Sequence, residues 1–189
     1  MKFHLVVITI FYFSLCSFGQ GSGIIVDTLK IDVNDTLKSL SDSIPSNVVL
    51  KNGKKIDDMI SFAKSFLGTP YRYSGTSPSG FDCSGFIGYV MGGFGFSLPR
   101  SSYSIAEMGK TIKLADVQPG DLLFFKGSNI KSSTVGHVAM VVEANEYEIK
   151  MIHSSTSRGV IIENFKTSKY FIPRFLKAKR LDYDYKKSQ

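Results

Sequence analysis

Cysteine and histidine are scarce in this chain of 189 residues, which carries 2 cysteines and 3 histidines. Cys16 and His4 fall in the first apolar stretch, so beyond it there remain one cysteine, Cys83, and two histidines, His137 and His153. A lone thiol excludes a disulfide framework within the chain. No Cys-x-x-Cys or His-x-x-x-His pair occurs, so the common paired zinc signatures are missing. The single long apolar run is at the N-terminus, and no transmembrane span is expected in the rest of the chain. Basic residues form no single dense block, although Lys177, Lys179, Arg180, Lys186 and Lys187 crowd the end. Any Cys–His chemistry therefore has few places to reside.

What is present describes an exported globule. The hydrophobic fraction of 43% is ordinary for a folded domain, and the length suggests one domain with an accessory segment. Lys2, the apolar run Leu5 to Leu15 and the small-x-small site Ser17-Phe18-Gly19 read as a secretory signal over 1–19. Cys16 raises a lipid anchor, which ranks second because Leu15 precedes it where a small residue is expected. Residues 20–54 are polar and read as a flexible spacer, 55–181 as the folded domain and 182–189 as a basic tail. The formal net charge of +7 suits an acidic partner such as nucleic acid, an anionic membrane or an acidic polymer. The competing reading is a solvated surface with no partner.

Within the domain, helical signals come first. Ile56, Met59, Ile60, Ala63, Phe66 and Leu67 recur at helical spacing, with Gly68 at the expected cap. A second helix is predicted from about Cys83 to Met91, with Asp82 as N-cap, and a shorter one over Ser101 to Met108. Strands are predicted at Leu122–Phe125, His137–Glu143, Glu148–His153, Val160–Ile162 and Tyr170–Lys177. Helices followed by a meander imply an α+β fold with an antiparallel sheet.

Cys83 stands in Gly80-Phe81-Asp82-Cys83-Ser84-Gly85-Phe86. Placement in the first turn of a helix lowers a thiol pKa through the helix dipole and unpaired N–H groups. Gly85 allows backbone to pack closely behind it. His137 opens an apolar strand, as a base on a rigid element facing the helix would. His153 closes the partner strand, where it can bond the outer nitrogen of His137 and hold that ring. The competing readings are a buried structural cysteine, a core histidine and a surface histidine.

Five motifs then appear in order: Gly68-Thr69-Pro70-Tyr71-Arg72-Tyr73, the Cys83 segment, Leu98-Pro99-Arg100-Ser101-Ser102, Pro119-Gly120-Asp121-Leu122 and Val135-Gly136-His137-Val138. Together they resemble the NlpC-type family of bacterial cell-wall cysteine peptidases, and most of all its Spr-type murein endopeptidase branch, over residues 56–181. The resemblance implies a papain-like fold and hydrolysis of peptide bonds in peptidoglycan, without metal or cofactor. It assigns Cys83 as nucleophile, His137 as base, His153 as the orienting residue and Tyr71 as an oxyanion donor beside the Cys83 N–H. Asp82 and Ser84 are candidates to contact a substrate amine or backbone, or else simply cap the helix. Arg100 is a candidate to grip a stem-peptide carboxylate, or to form an ion pair with Asp121, itself read as structural. The acidic partner becomes peptidoglycan rather than nucleic acid, and the location the periplasm or cell envelope.

Other classes stay open at this point. Cys83, His137 and His153 also make a three-ligand zinc set for a hydrolase. A non-catalytic wall-binding module and an amidase or acyl transferase with the same dyad are further readings. The bond cut is either the D-Ala to diaminopimelate cross-link or the D-Glu to diaminopimelate bond in the stem.

Overall fold

The computed structural model describes residues 46–183, with side chains from Lys55 onward. The expected leader, the Cys16 anchor, spacer residues 20–45 and tail residues 184–189 lie outside the described residues. Helix α1 spans Ser46–Lys64 and so begins inside the stretch expected to be spacer. The polar run Lys51-Asn52-Gly53-Lys54, with the poor helix formers Asn52 and Gly53 at its centre, hides its continuity with the apolar residues Val48, Val49 and Leu50.

After α1 the chain forms a small hairpin, β1 at Thr76–Ser77 and β2 at Gly80–Phe81. Helix α2 follows at Cys83–Gly92, with Asp82 accepting from the Gly85 N–H as its N-cap. Helix α3 is only Ser102–Ile105, shorter than expected. The remaining strands are β3 (Lys110–Ile112), β4 (Leu122–Lys126), β5 (Val135–Ala144), β6 (Ile149–Ser155), β7 (Gly159–Asn164) and β8 (Phe175–Arg180). They form a six-stranded sheet in the order β3-β8-β4-β5-β6-β7, antiparallel throughout. The strand expected over Tyr170–Lys177 begins only at Phe175, because Pro173 lies in a 3-10 turn at Ile172–Arg174. A proline fixes φ and offers no N–H to a ladder.

Both faces of this sheet are covered. On one face α1, α2 and α3 pack through Met59, Phe86, Ile87, Val90 and Ile105 onto Leu122, Phe124, Val138, Met140 and Ile152. On the other, Leu123, Phe125, Ala139, Val141 and Met151 meet Phe165 and Phe171 from the turns that cross back over the sheet. Burial on both sides is why β4 and β5 read as continuous apolar runs rather than alternating ones.

Asp121, 1% exposed, immediately precedes β4 and pairs with Arg180 of β8 at 2.7 and 2.8 Å, while also accepting from the Gln118 N–H at 2.8 Å. Its partner is thus Arg180 and not Arg100, the rival pairing raised from the sequence.

Candidate active site

Cys83 is the first residue of α2, half-buried, at the foot of the cluster that joins helices to sheet. Its placement depends on Gly85. A Cβ built there would collide with the carbonyl oxygen of Gly75, the same oxygen that accepts from the Asp82 N–H at 3.0 Å. The loop 72–75 is thereby locked beneath the start of the helix. Burial pushes the Cys83 thiol up from its ordinary value, opposed by the N–H groups of Val138, Ser84 and Cys83 itself, with the Asp82 charge adding to the rise. The depression expected from the helix start is therefore outweighed by desolvation.

His137 owes its position to a bulge. Phe125 pairs with His137 and Lys126 with Val135, so Gly136 is the extra residue. A Cβ on Gly136 would lie 2.6 Å from the Gly127 Cα and 2.7 Å from its nitrogen. Only glycine admits that approach without a shift. The bulge changes which face the strand presents: Val135 belongs to the helix-side cluster, whereas His137 turns to the other face, two residues before Ala139. There its ring stacks on Phe171 at 5.4 Å and tilts against Phe125 at 6.2 Å.

His153, two residues past Met151 on β6, shares that face and is 1% exposed. His137 Nε2 and His153 Nδ1 are 3.0 Å apart, and Phe171 also packs edge-on to His153 at 5.1 Å. His153 Nε2 lies 2.7 Å from Glu163 Oε1 on β7. Arg158 Nη2 reaches both Glu163 oxygens at 3.2 Å. Burial, followed by repulsion from His153, brings the His137 pKa down to about 3. The hydrogen bond to His153, opposed by burial and joined by Arg158, holds the Glu163 carboxyl below the usual range. An open cleft of about 510 Å³ runs along this side, lined by His137, His153, Glu163, Arg158, Lys126 and Tyr170 among others.

On the other side of Cys83, Asp82, Ser84 and Arg100 form one cluster. Arg100 donates to both Asp82 oxygens, and its Nη1 lies 2.9 Å from Ser84 Oγ. Burial disfavours the Asp82 carboxylate, yet Arg100, the Gly85 N–H and Ser84 together hold it below its ordinary value. Half of the Arg100 side chain remains exposed, at 48%. Tyr71, half-buried, bridges to Phe81, and burial followed by the nearby Cys83 and Asp82 raises its phenol.

The structure thus gathers Tyr71, Asp82, Ser84 and Arg100 around Cys83, and links His137 to His153. Glu163, Arg158 and Phe171 were not singled out in the sequence. Glu163 follows the apolar run Val160–Ile162 at alternate spacing from Ile161, a weak signal of a shared face, and nothing local marks Phe171. The three residues considered as zinc ligands do not converge: two imidazole nitrogens are turned on each other. Among the described residues no group of three His, Cys, Asp or Glu side chains is arranged to hold a metal ion. Nor is any described helix long and apolar enough to cross a membrane.

Comparison with known proteins places this arrangement. The NlpC/P60 family pattern matches residues 68–180. A gamma-D-glutamyl-L-lysine dipeptidyl-peptidase of Bacillus cereus is 35% identical over 176 residues, covering 81% of this chain and 51% of its own. The murein DD-endopeptidase/murein LD-carboxypeptidase MepS of Escherichia coli is 36% identical over 115 residues, covering 60% of this chain and 56% of its own. The crystal structure of an NlpC/P60 family protein from Bacillus cereus superposes with a TM-score of 0.60 at 36% identity, covering 66% of this chain and 39% of that one. This chain therefore spans about half the length of the curated relatives it matches. The papain-like α+β fold and the resemblance to the murein endopeptidase branch both stand.

Proposed function

The chain belongs to the NlpC/P60 family, and from that premise we propose that it is an exported cysteine peptidase that hydrolyses peptide bonds in peptidoglycan. The observation that carries the reading is the half-buried Cys83 thiol at the first residue of α2, flanked by the Asp82–Arg100 pair, in a fold that also holds His137 Nε2 3.0 Å from His153 Nδ1. In the proposed cycle the Cys83 proton passes to Nδ1 of His137 as the sulfur attacks the amide carbon. The Tyr71 hydroxyl and the Cys83 N–H stabilise the oxyanion. His137 then gives its proton to the departing amine as the C–N bond breaks, leaving a thioester. Water, deprotonated by His137, attacks that thioester and releases the acid and the thiol. Asp82, Ser84 and Arg100 form the polar edge that receives the substrate's charged groups.

Murein and gamma-D-glutamyl linkages in the names of the relatives support a stem or cross-link peptide as substrate. A basic chain suits a polymer rich in carboxylates. The N-terminal secretory pattern supports export to the cell envelope. The test is digestion of purified sacculi by the chain and by Cys83→Ala, with released muropeptides read by mass spectrometry. Loss of cross-linked dimers that depends on Cys83 supports the reading and points to the cross-link. Shortened stems point to cleavage within the stem. Release of whole stems would mean an amidase, and no release from sacculi of several chemotypes would overturn hydrolysis.

A further inference from the structure

We infer that Glu163 is a positioning residue that fixes the tautomers of both histidines, so that Nδ1 of His137 is left bare to accept a proton. The inference rests on the proposed hydrolysis by Cys83 for its consequence in turnover, but its geometric content stands apart from that reading.

A histidine can orient a second histidine in either of two directions. In the uncharged pair, one ring donates and the other accepts, and a reversed pair looks the same in heavy-atom positions. The 3.0 Å contact between His137 Nε2 and His153 Nδ1 does not choose between them. Glu163 does. Its carboxylate carries no proton, because Arg158 lies 3.2 Å from each oxygen, and an ionised carboxylate only accepts. The proton in the 2.7 Å contact therefore belongs to His153 Nε2. A neutral imidazole has a single N–H, so His153 Nδ1 is an acceptor, and His137 Nε2 must donate to it. That leaves His137 Nδ1 without a proton. Nδ1 is the ring nitrogen nearer its own main chain, and it is the one that takes the thiol proton in the proposed cycle. The bare nitrogen is thus the one the proposed cycle uses as base.

The same direction serves the reaction. When the thiol proton moves to His137 Nδ1, the positive charge formed on that ring is two hydrogen bonds from a carboxylate. Phe171, packed on both imidazoles, holds the two rings in this arrangement. Without Glu163, His153 can reverse. The reversed pair presents a His137 N–H to the thiol, and that form cannot act as base.

The experiment uses the full chain with 15N-labelled histidine. In wild type the His137 signals should show Nε2 protonated and Nδ1 bare. Glu163→Ala should give a mixture of tautomers and a kcat on a peptidoglycan peptide lower by about 10- to 100-fold at unchanged KM. Glu163→Gln, which can turn either its amide oxygen or its N–H2 to His153, should fall between the wild type and Glu163→Ala, with part of the wild-type tautomer and part of the turnover. A wild-type His137 protonated at Nδ1, or a Glu163→Ala variant with wild-type tautomer and kcat, would overturn the role of Glu163. If wild type hydrolyses no peptidoglycan peptide, the proposed function fails, while the nitrogen shifts of wild type and Glu163→Gln still decide this inference. They also decide it if Glu163→Ala does not fold.

Discussion

His137 and His153 meet edge to face, with their ring planes 87° apart and 3.0 Å between Nε2 and Nδ1. A perpendicular pair lets the in-plane N–H of one ring point at the in-plane lone pair of the other only along a single line. The rings are pinned from above by Phe171 and from the far side by Glu163. Neither imidazole can turn alone, so the pair behaves as one rigid element.

Alkylation of Cys83 by iodoacetamide should accelerate with pH through a midpoint above the ordinary thiol value of about 8.5. The cause is the burial that raises this thiol in the resting protein. Stopped-flow or mass-spectrometric rates from pH 6 to 10 would read it. A rate already level below pH 7 would mean a preformed thiolate and would contradict the burial argument.

Stability should fall as the solution is acidified below about pH 6.5. His137 is held near 3 when folded, so between those values the unfolded chain takes up a proton that the folded chain refuses. Linkage then gives a loss of up to about 1.4 kcal/mol per pH unit from this one group. Asp82 and Glu163, both held low when folded, add their own losses only at more acidic pH. Urea midpoints at pH 6.5 and 5.0 isolate the histidine, and His137→Gln should flatten the difference. Equal midpoints in wild type would refute the assignment.

Gly136→Ala should cost about 1–3 kcal/mol, because the new methyl would press on the Gly127 backbone. Since His137 is the next residue, kcat should drop by more than the loss of folded protein explains. Gly88→Ala is the contrasting case. It lies within α2, and a methyl there would meet open space, with nothing within 4 Å, so it should stabilise by about 0.5–1 kcal/mol. Thermal melts of the two variants side by side would test the pair, and a neutral Gly136→Ala would remove the close approach as a requirement.

Asp121→Asn should destabilise by about 3 kcal/mol, toward the lower end for a broken buried pair because Arg180 is 34% exposed. Replacing both partners, as Asp121→Asn with Arg180→Met, should recover part of that loss. A double variant no better than the single one would argue that Gln118, not Arg180, is the contact that matters.

Much of this architecture can be read from residues close in sequence. Asp82 beside Cys83 marks a loop-to-helix junction by local chemistry alone, and the helix begins there. The two histidines fall at the ends of consecutive apolar strands, so a hairpin brings them near each other. What escapes is set by distant register. Arg180 finds Asp121 across 59 positions of chain, and sequence offered Arg100 as an equal candidate. Arg100 instead closes on Asp82, only 18 positions away. Phe171 reaches the imidazoles from a turn that Pro173 keeps out of the sheet. The upward shift of the thiol also depends on packing around it, which a helix-start argument does not count.

The sheet separates two interiors, and the site straddles the partition. Cys83 travels with the helical layer, while the histidines are embedded in the layer beneath Phe171. Their alignment is then a matter of registry between two independently packed halves, joined at the start of β5. A perturbation that slides one half against the other would leave each interior intact and spectroscopically native, yet the catalyst would be out of alignment. Turnover is thus a finer gauge of that seam than any melting curve.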